Sequence, residues 1–228
     1  MADGVESANV VGYDVKTGVQ NFNWVAPEFS DVGLTTIDIQ NIQLSGAAVD
    51  PNGGDSLQIL DSDGVTQSSF SWSDPDDTGT VTWFDEDAWA PAEYSIGNAD
   101  SVLIYCVNSG VGIKLLGEVG CGVITKTGVQ NFNWVGNVSP IDIDIQQITL
   151  SGATVDPNGG DSLQILDSDG VTQSSFSWSD PDDTGIVTWF DEDAWAPAEE
   201  TITAGSGVLI YAVNANVTIA LPQALVAN

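Results

Sequence analysis

The chain has 228 residues and a formal net charge of −30 at pH 7, with 33 acidic side chains, three basic ones and no histidine. Nucleic acid and anionic membrane surfaces are poor partners for it, because a polyanion without a basic patch repels phosphate. The lack of histidine excludes Ser-His-Asp and Cys-His catalysis and zinc sites with histidine ligands. The apolar fraction of 42% is sufficient for a buried core. No run approaches the roughly 18–20 apolar residues of a membrane helix, so we expect no membrane insertion.

An internal repeat organises the chain. Residues 50–79 recur unchanged as residues 156–185, and residues 16–25 recur as residues 126–135. The offset is 110 residues at the start (16 to 126) and 106 later (50 to 156), so the first copy contains four extra residues. Each unit of roughly 105–110 residues has the size of a small domain. The predicted organisation is an N-terminal strand at 1–15 that can join subunits, a first β domain at 16–116 and a second at 117–228.

Short alternating segments separated by turn residues fill each copy. Clusters such as DPNGGD, DSDG and SDPDDTG are typical of tight turns. No window has a sustained helical period, and short strands about 8–12 residues apart indicate an antiparallel sandwich or barrel. We predict an all-β chain of two tandem homologous antiparallel β-sandwich or barrel (jelly-roll-like) domains. The predicted strands of the first copy contain residues 22–24, 37–39, 42–44, 56–60, 67–72, 80–84, 102–107 and 112–116.

A change of parity interrupts this pattern. Ile37 and Ile39 share one face of a strand, whereas Ile42 and Leu44 follow with the opposite parity. The change predicts a bulge or break near Gln40, and the second copy repeats it.

Each copy has four tryptophans, and their neighbours predict different environments. Trp24 and Trp72 alternate with phenylalanines in predicted strands, so we assign them to the core. Trp89 and its counterpart Trp195 lie in the loop-like segment FDEDAWAPAE, where two interpretations stay open. Either the indole packs in the core, or it is an exposed platform beside carboxylates that holds a sugar ring.

The acidic loops are candidate calcium sites, because Ca²⁺ takes six to eight oxygen ligands from flexible loops. The match to a helix-loop-helix calcium loop is poor, because DSDG lacks the later ligands and the closing Glu. The alternative is that Asp and Asn form turns and keep the surface soluble. The candidate ligands are Asp50, Asn52, Asp55, Asp61 and Asp63 in the first copy and Asp156, Asn158, Asp161, Asp167 and Asp169 in the second.

The two cysteines lie around the junction between the copies. The counterpart of Cys106 is Ala212 and that of Cys121 is Val11, so both cysteines occur only at the junction. This coupled occurrence favours a Cys106–Cys121 disulfide, which requires an oxidising compartment. The alternative is two buried free thiols that pack as small hydrophobic side chains.

Paired carboxylates are the remaining catalytic option, because glycoside hydrolysis uses two acids that flank the bond. Asp85, Glu86 and Asp87 are adjacent, but successive side chains of a strand point to opposite faces. Two complete active sites in such small units would also be unusual. We therefore predict that the protein is not an enzyme.

The start of the chain carries a resemblance. Residues 6–13, ESANVVGY, resemble the mature N-terminus of a group of uncharacterised exported bacterial β-repeat proteins, which have an ESAN-(I/V)-VGY segment and modules that end in Gly-Glu-Val. Residues 117–119 match that ending in the first copy, whereas the second copy departs from it with QAL at 223–225. The resemblance implies export, with Ala2 just before a mature Asp3, and an extracellular or cell-surface location. It implies no site residues.

The junction between the copies indicates a mode of assembly. Residues 111–125 finish the first unit and start the second, and the two termini look like the two halves of that junction. Unpaired strand edges at the termini would template pairing with another chain. We expect residues 217–226 of one subunit to meet residues 5–15 of the next, head to tail, in an open filament. In the alternative, each terminal strand folds back into its own domain and the protein stays monomeric.

Two functions follow from these features. The first is a secreted structural protein, a subunit of an extracellular filament or surface layer that assembles with itself through terminal β-strands. It rests on the duplication, the lack of catalytic chemistry, the acidic surface and the implied export. The alternative is a carbohydrate-binding, calcium-dependent β-sandwich protein that binds polysaccharide through Trp89 and Trp195.

Overall fold

A computed structural model describes residues 11–27, 29–30, 36–49, 54–97, 99–119, 124–139, 141–155 and 160–222. In these ranges the chain is all-β, with single 3-10 turns at Ile39–Asn41 and Ile145–Gln147. No helix within them has the length and hydrophobicity of a membrane span. The strands are β1 (Val11–Gly18), β2 (Asn21–Val25), β3 (Phe29–Ser30), β4 (Thr36–Asp38), β5 (Ile42–Ser45), β6 (Ser56–Leu60), β7 (Gln67–Ser73), β8 (Thr82–Asp85), β9 (Ala90–Pro91), β10 (Ser95–Gly97), β11 (Val102–Cys106), β12 (Val111–Val119), β13 (Ile124–Gly128), β14 (Asn131–Gly136), β15 (Ile143–Asp144), β16 (Thr149–Ser151), β17 (Ser162–Leu166), β18 (Gln173–Ser179), β19 (Thr188–Asp191), β20 (Ala196–Pro197), β21 (Thr201–Ile202), β22 (Gly207–Ala212) and β23 (Val217–Leu221).

Antiparallel sheets form from the described strands of the first copy. The largest has the order β2-β11-β6-β7-β8-β9. A second sheet has β12 at its centre, with β1 on one side and β3 and β5 on the other. A small sheet pairs β10 with β4.

The second copy repeats this arrangement. Its largest sheet has the order β14-β22-β17-β18-β19-β20, and smaller sheets have the orders β13-β23-β16 and β15-β21. The described residues of this copy contain no strand that corresponds to β3, which lies in the segment between residues 25 and 37 that is four residues longer in the first copy. None of the sheets in the described ranges closes into a barrel, so of the two predicted architectures the chain has the sandwich-like one.

Each predicted strand of the first copy overlaps an observed one, but β8 begins at Thr82 rather than at residue 80, and the parity change is a 3-10 turn that includes Ile39. β6 has its predicted bounds, and β7 extends one residue beyond its predicted end. The turn Ile39–Asn41 begins at Asp38, whose carboxylate accepts the N–H of Gln40. The Gln40 amide donates to the backbone oxygens of Trp83 and Ala92 at 2.8 and 3.0 Å. The break in the strand is therefore anchored to the large sheet.

The described buried residues form two hydrophobic cores, one in each copy, and Ala99 of the first copy packs in the second core. Alternation along the strands buries one face, as in β6, where Leu57 and Ile59 are buried and their neighbours are half-buried. Trp72 lies in the first core, as predicted, beside Trp83. The indole N–H of Trp83 donates to the backbone oxygen of Ile42 at 2.6 Å, so this fully buried ring has its polar atom paired. Trp178 and Trp189 repeat the pair in the second core.

The core assignment of Trp24 is wrong. Trp24 is half-buried and lies outside the first core, to which β2 contributes Val25. Its ring instead packs edge-on against Trp134 of the second copy, with ring centroids 4.9 Å apart. By alternation Asn23 shares the face of Val25, and its amide donates to three backbone carbonyl groups. The ring of Trp24 therefore contacts the other copy rather than the core of its own copy.

The terminal strands pair within their own copies in the described residues. β1 pairs with β12 along its whole length, from Val11 with Glu118 to Gly18 with Val111. β23 lies between β13 and β16, so both of its edges are paired. The expected docking of residues 217–226 on another chain therefore has no free edge along residues 218–220. Residues 1–10 and 223–228 lie outside the described residues.

Candidate functional site

A groove beside Trp89 combines an exposed aromatic ring with polar side chains. It has a volume of about 430 Å³ and is formed by the turn after β7, by strand β8 and by β9. Trp89 is 71% exposed. The lining residues are Pro75, Asp76, Thr78, Thr80, Thr82, Phe84, Trp89 and Pro91.

The turn between β8 and β9 holds Trp89 in its exposed position. The carboxylate of Asp85 accepts the N–H groups of Asp87 and Ala88 at 2.9 and 3.0 Å. Trp89 follows with a φ of 52°, in the left-handed region, which costs a non-glycine residue about 1 kcal/mol or more. Its ring packs edge-on against Phe84, with centroids 5.5 Å apart. The indole is therefore positioned by a turn and one ring contact rather than by burial.

A second carboxylate shapes the opposite side of the groove. The Asp74 carboxylate accepts the N–H groups of Thr78 and Gly79 at 3.1 and 2.8 Å. These bonds close the loop that carries Pro75 and Asp76. Asp76 is exposed on this loop, so its carboxylate is accessible to a ligand.

The second copy has the same groove. It has a volume of about 360 Å³, and Trp195 is 73% exposed with a φ of 52°. Trp195 packs edge-on against Phe190, with centroids 5.4 Å apart. The lining differs in one residue, because Ile186 replaces Thr80. The sequence left open whether these tryptophans pack in the core or are exposed, and in the structure both are exposed.

Asp63 and Asp169 are engaged by their own turns. The Asp63 carboxylate accepts the N–H groups of Val65 and Thr66, each at 2.8 Å, and the Thr66 hydroxyl at 2.5 Å. The hydroxyl bond, together with the two N–H bonds, holds the pKa of Asp63 below its usual range. Asp169 accepts the same bonds, and its pKa shifts in the same direction. Both residues therefore have the turn-forming role that was the alternative to calcium binding.

Asp55 and Asp161 are different, because they are fully buried. Oδ1 of Asp55 accepts the N–H of Val107 at 2.9 Å, while Oδ2 has no hydrogen-bond partner. Burial raises the pKa of Asp55 above the usual carboxyl range. Asp161 repeats these features, with Val213 as the donor at 3.0 Å. A buried oxygen without a partner is costly, so these carboxyl groups are candidates for a function.

The described residues contain no group of three or more acidic, cysteine or histidine side chains arranged to hold a metal ion. Asp61 accepts the hydroxyl groups of Ser68 and Tyr94 at 3.0 and 3.3 Å, and Asp167 accepts that of Ser174 at 3.1 Å. The other predicted ligands, Asp50, Asn52, Asp156 and Asn158, lie outside the described residues. Calcium binding therefore stays a prediction.

The Cys106 thiol is fully buried in the first core and has no disulfide partner among the described residues. Ala212 occupies the equivalent buried position in the second core. Burial, with a smaller contribution from the charge of Asp55, raises the pKa of the Cys106 thiol to about 12. Cys121 lies outside the described residues, so the disulfide between them stays a prediction.

Two further cavities, of about 260 and 320 Å³, lie where the copies meet, and strand alternation and loop composition predicted neither of them. In the first, Lys126 of the second copy lies 2.5 Å from the Asp100 carboxylate of the first. In the second, Lys16 of the first copy donates to the backbone oxygen of Ala204 of the second. Two of the three basic residues therefore connect the copies. The sequence signal for this role is that Lys16 and Lys126 occupy equivalent positions in the two copies.

The chain matches no protein-family model, no curated protein and no solved structure. The candidate functional surfaces are therefore defined by geometry alone. They are the two tryptophan-lined grooves and the contact between the copies.

Proposed function

We propose that the protein is a secreted carbohydrate-binding protein that holds neutral glycan chains in its two tryptophan-lined grooves. The observation that carries this proposal is the repeated exposure of Trp89 and Trp195, at 71% and 73%, in equivalent concave sites. Large apolar side chains are normally withdrawn from water. Exposed ones beside a few polar groups are typical of binding surfaces.

The groove offers the two kinds of contact that a sugar ring needs. An indole face packs against the C–H face of a pyranose, and Asp76 accepts hydrogen bonds from sugar hydroxyl groups. Thr78 and Thr82 both donate and accept. The net charge of −30 repels uronic and sulfated glycans. Neutral glycans are therefore the expected class.

We also infer that each copy is a homologous jelly-roll-like domain with one groove. Two sites on one chain bind a polymer more tightly than either site alone, because the first contact raises the effective concentration for the second. The inferred role is binding rather than catalysis, since the first of the three adjacent acids, Asp85, is engaged by its own turn. An extracellular location accompanies this proposal.

Titration calorimetry of the full chain with cellohexaose, xylohexaose and chitohexaose tests the proposal, together with retention on insoluble cellulose and chitin. We expect two sites per chain for at least one of these probes. Trp89→Ala should leave one site, and Trp195→Ala should leave the other. The double variant should lose at least about tenfold in affinity, because stacking buries a large aromatic area.

A matched control is Val49→Ala with Val155→Ala, which removes exposed apolar side chains at equivalent positions outside the grooves. Binding by this control should equal that of the wild type. The proposal fails if no probe binds, or if the double tryptophan variant binds as well as the wild type.

A second candidate function is self-assembly into an extracellular filament or surface layer. It is favoured by the one-sided pairing of β1, whose only strand partner among the described residues is β12, and by Val15, which is 52% exposed. An open strand edge is a template for pairing with another chain. Chains would then add beside β1 rather than beside β23.

Val15→Lys tests this candidate, because a lysine on an edge strand opposes pairing between chains. Val49→Lys places the same charge in a loop outside the strands. Electron microscopy of concentrated protein with divalent cations, which reduce repulsion between acidic chains, should show filaments for the wild type and for Val49→Lys only. A wild type that stays monomeric under all of these conditions contradicts self-assembly.

A further inference from the structure

The hydrogen bonds between the two copies occur in matched pairs. The N–H of Phe22 donates to the backbone oxygen of Gly170 at 3.2 Å, and the N–H of Phe132 donates to that of Gly64 at 3.1 Å. Phe132 is the repeat counterpart of Phe22, and Gly170 is the counterpart of Gly64. The same bond is therefore made twice with the roles of the copies exchanged, as in an isologous interface.

A second pair of bonds follows the same rule. The N–H of Ala26 donates to the oxygen of Gly205 at 2.7 Å, and the N–H of Gly136 donates to that of Ala99 at 3.0 Å. Gly136 corresponds to Ala26, and Gly205 corresponds to Ala99. Two independent bond pairs thus relate the copies by one approximate two-fold axis.

Three positions lie close to that axis, because each contacts its own counterpart. Trp24 packs against Trp134 with an angle of 82° between the rings. Ala26 faces Gly136. Ser101 faces Gly207. A residue meets its own counterpart only beside a two-fold axis.

The packing at the axis is asymmetric. A Cβ added at Gly136 would lie 2.4 Å from the Cβ of Ala26, and one added at Gly207 would lie 2.5 Å from the Cβ of Ser101. Neither glycine has the positive φ that only glycine adopts readily. Both are therefore required for space, and the first-copy residues would collide if they stood in both copies.

We propose that the surface around Trp24 is a self-recognition surface whose partner is a second copy of the repeat, so that the chain is a fused dimer. Gly136 and Gly207 adapt the second copy to the first. The association resides in the matched bonds and in the Trp24–Trp134 contact, and it does not depend on the covalent link through residues 120–123.

Cutting the link in the full chain tests the proposal. A recognition sequence for a site-specific protease is inserted within residues 120–123, and the cut protein is examined by native mass spectrometry and sedimentation at micromolar concentration. We expect one particle with the mass of the whole chain. Separation of the cut wild type into halves would overturn the proposal.

Gly136→Ala with Gly207→Ser returns first-copy residues to the second copy and should cause loss of the whole-chain particle after cutting. The control, Ala26→Gly with Ser101→Gly, removes the facing atoms and should leave it assembled. An assembled collision variant would overturn the assignment of the axis.

Combining these four substitutions exchanges the residues across the axis, so that the glycines stand in the first copy and the larger residues in the second. This combination should restore the whole-chain particle, and it decides the question even where the collision variant alone fails to fold. Failure of this rescue, with the control still assembled, would overturn the proposal.

Discussion

The tryptophan-lined grooves and the contact between the copies are both duplicated, but they have diverged differently. The grooves differ only at Thr80 and Ile186 among their lining residues. At the contact, residues 99–101 read ADS and residues 205–207 read GSG, so all three positions differ. The two regions belong to the same pair of repeats.

The difference follows from what each surface contacts. A groove that faces solvent can be the same in both copies, because neither copy restricts the other. A surface that packs on its own counterpart is restricted at the axis, where two equal side chains would occupy one space. Ala26 against Gly136 is the direct example.

Truncating the ring contact at the axis should have the largest effect on stability. Trp24→Ala with Trp134→Ala should lower the free energy of unfolding by about 3–5 kcal/mol, because Trp134 is buried and the two rings pack on each other. Trp89→Ala with Trp195→Ala, which truncates exposed rings, should change it by about 0.5 kcal/mol or less. Urea denaturation measures both. Equal losses of unfolding free energy in the two double variants would contradict the prediction that the contact between the copies contributes more to stability than the grooves.

Calcium should act equally on both copies if the loops before Asp55 and Asp161 bind it. At free calcium about a hundredfold above Kd, a site present only in the native state adds about 2.7 kcal/mol. Asp55→Asn with Asp161→Asn should abolish the rise in Tm between EDTA and calcium. Asp63→Asn with Asp169→Asn should retain that rise, because those carboxylates serve their own turns. If calcium does not change the Tm of the wild type, calcium binding is contradicted and the role of these loops is turn formation.

The one difference between the grooves should produce a small difference in affinity. Thr80 offers a hydroxyl group where Ile186 does not, and one hydrogen bond changes affinity by about tenfold or less. The comparison uses Trp195→Ala and Trp89→Ala, each of which retains one groove. Adding Thr80→Ile to the former should make the two affinities equal. Affinities that still differ would place the cause outside the groove.

The buried carboxyl groups should give a modest pH dependence in calcium-free buffer. Because burial raises the pKa of Asp55 and Asp161 in the folded state, their contribution to stability is fully present below the unfolded pKa of about 4. It is lost as the pH rises through the higher folded pKa. Asp55→Asn with Asp161→Asn should reduce this decline of the free energy of unfolding with rising pH. Asp87→Asn with Asp193→Asn, an equal charge change on exposed turns, should leave the slope as in the wild type.

Much of the fold could be predicted from the sequence, because strand alternation and turn composition are local signals. The bounds of β6 and the break at Gln40 follow directly from them. The exposure of Trp89 was not decidable in this way, since its environment depends on the Asp85 turn and on Phe84. Trp24 was misassigned because alternation identifies a buried face without identifying what buries it.

The sequence by itself determined an acidic, all-β chain with a long internal repeat, because composition, period and turn residues are properties of the chain alone. Only the tertiary structure decided that Trp24 meets Trp134, that β23 is paired on both edges, and that Gly136 and Gly207 are required for space. These features depend on which surfaces approach each other between segments that are far apart in the chain. The local sequence pattern does not predict these contacts, because packing depends on the shape of the partner surface and its distance.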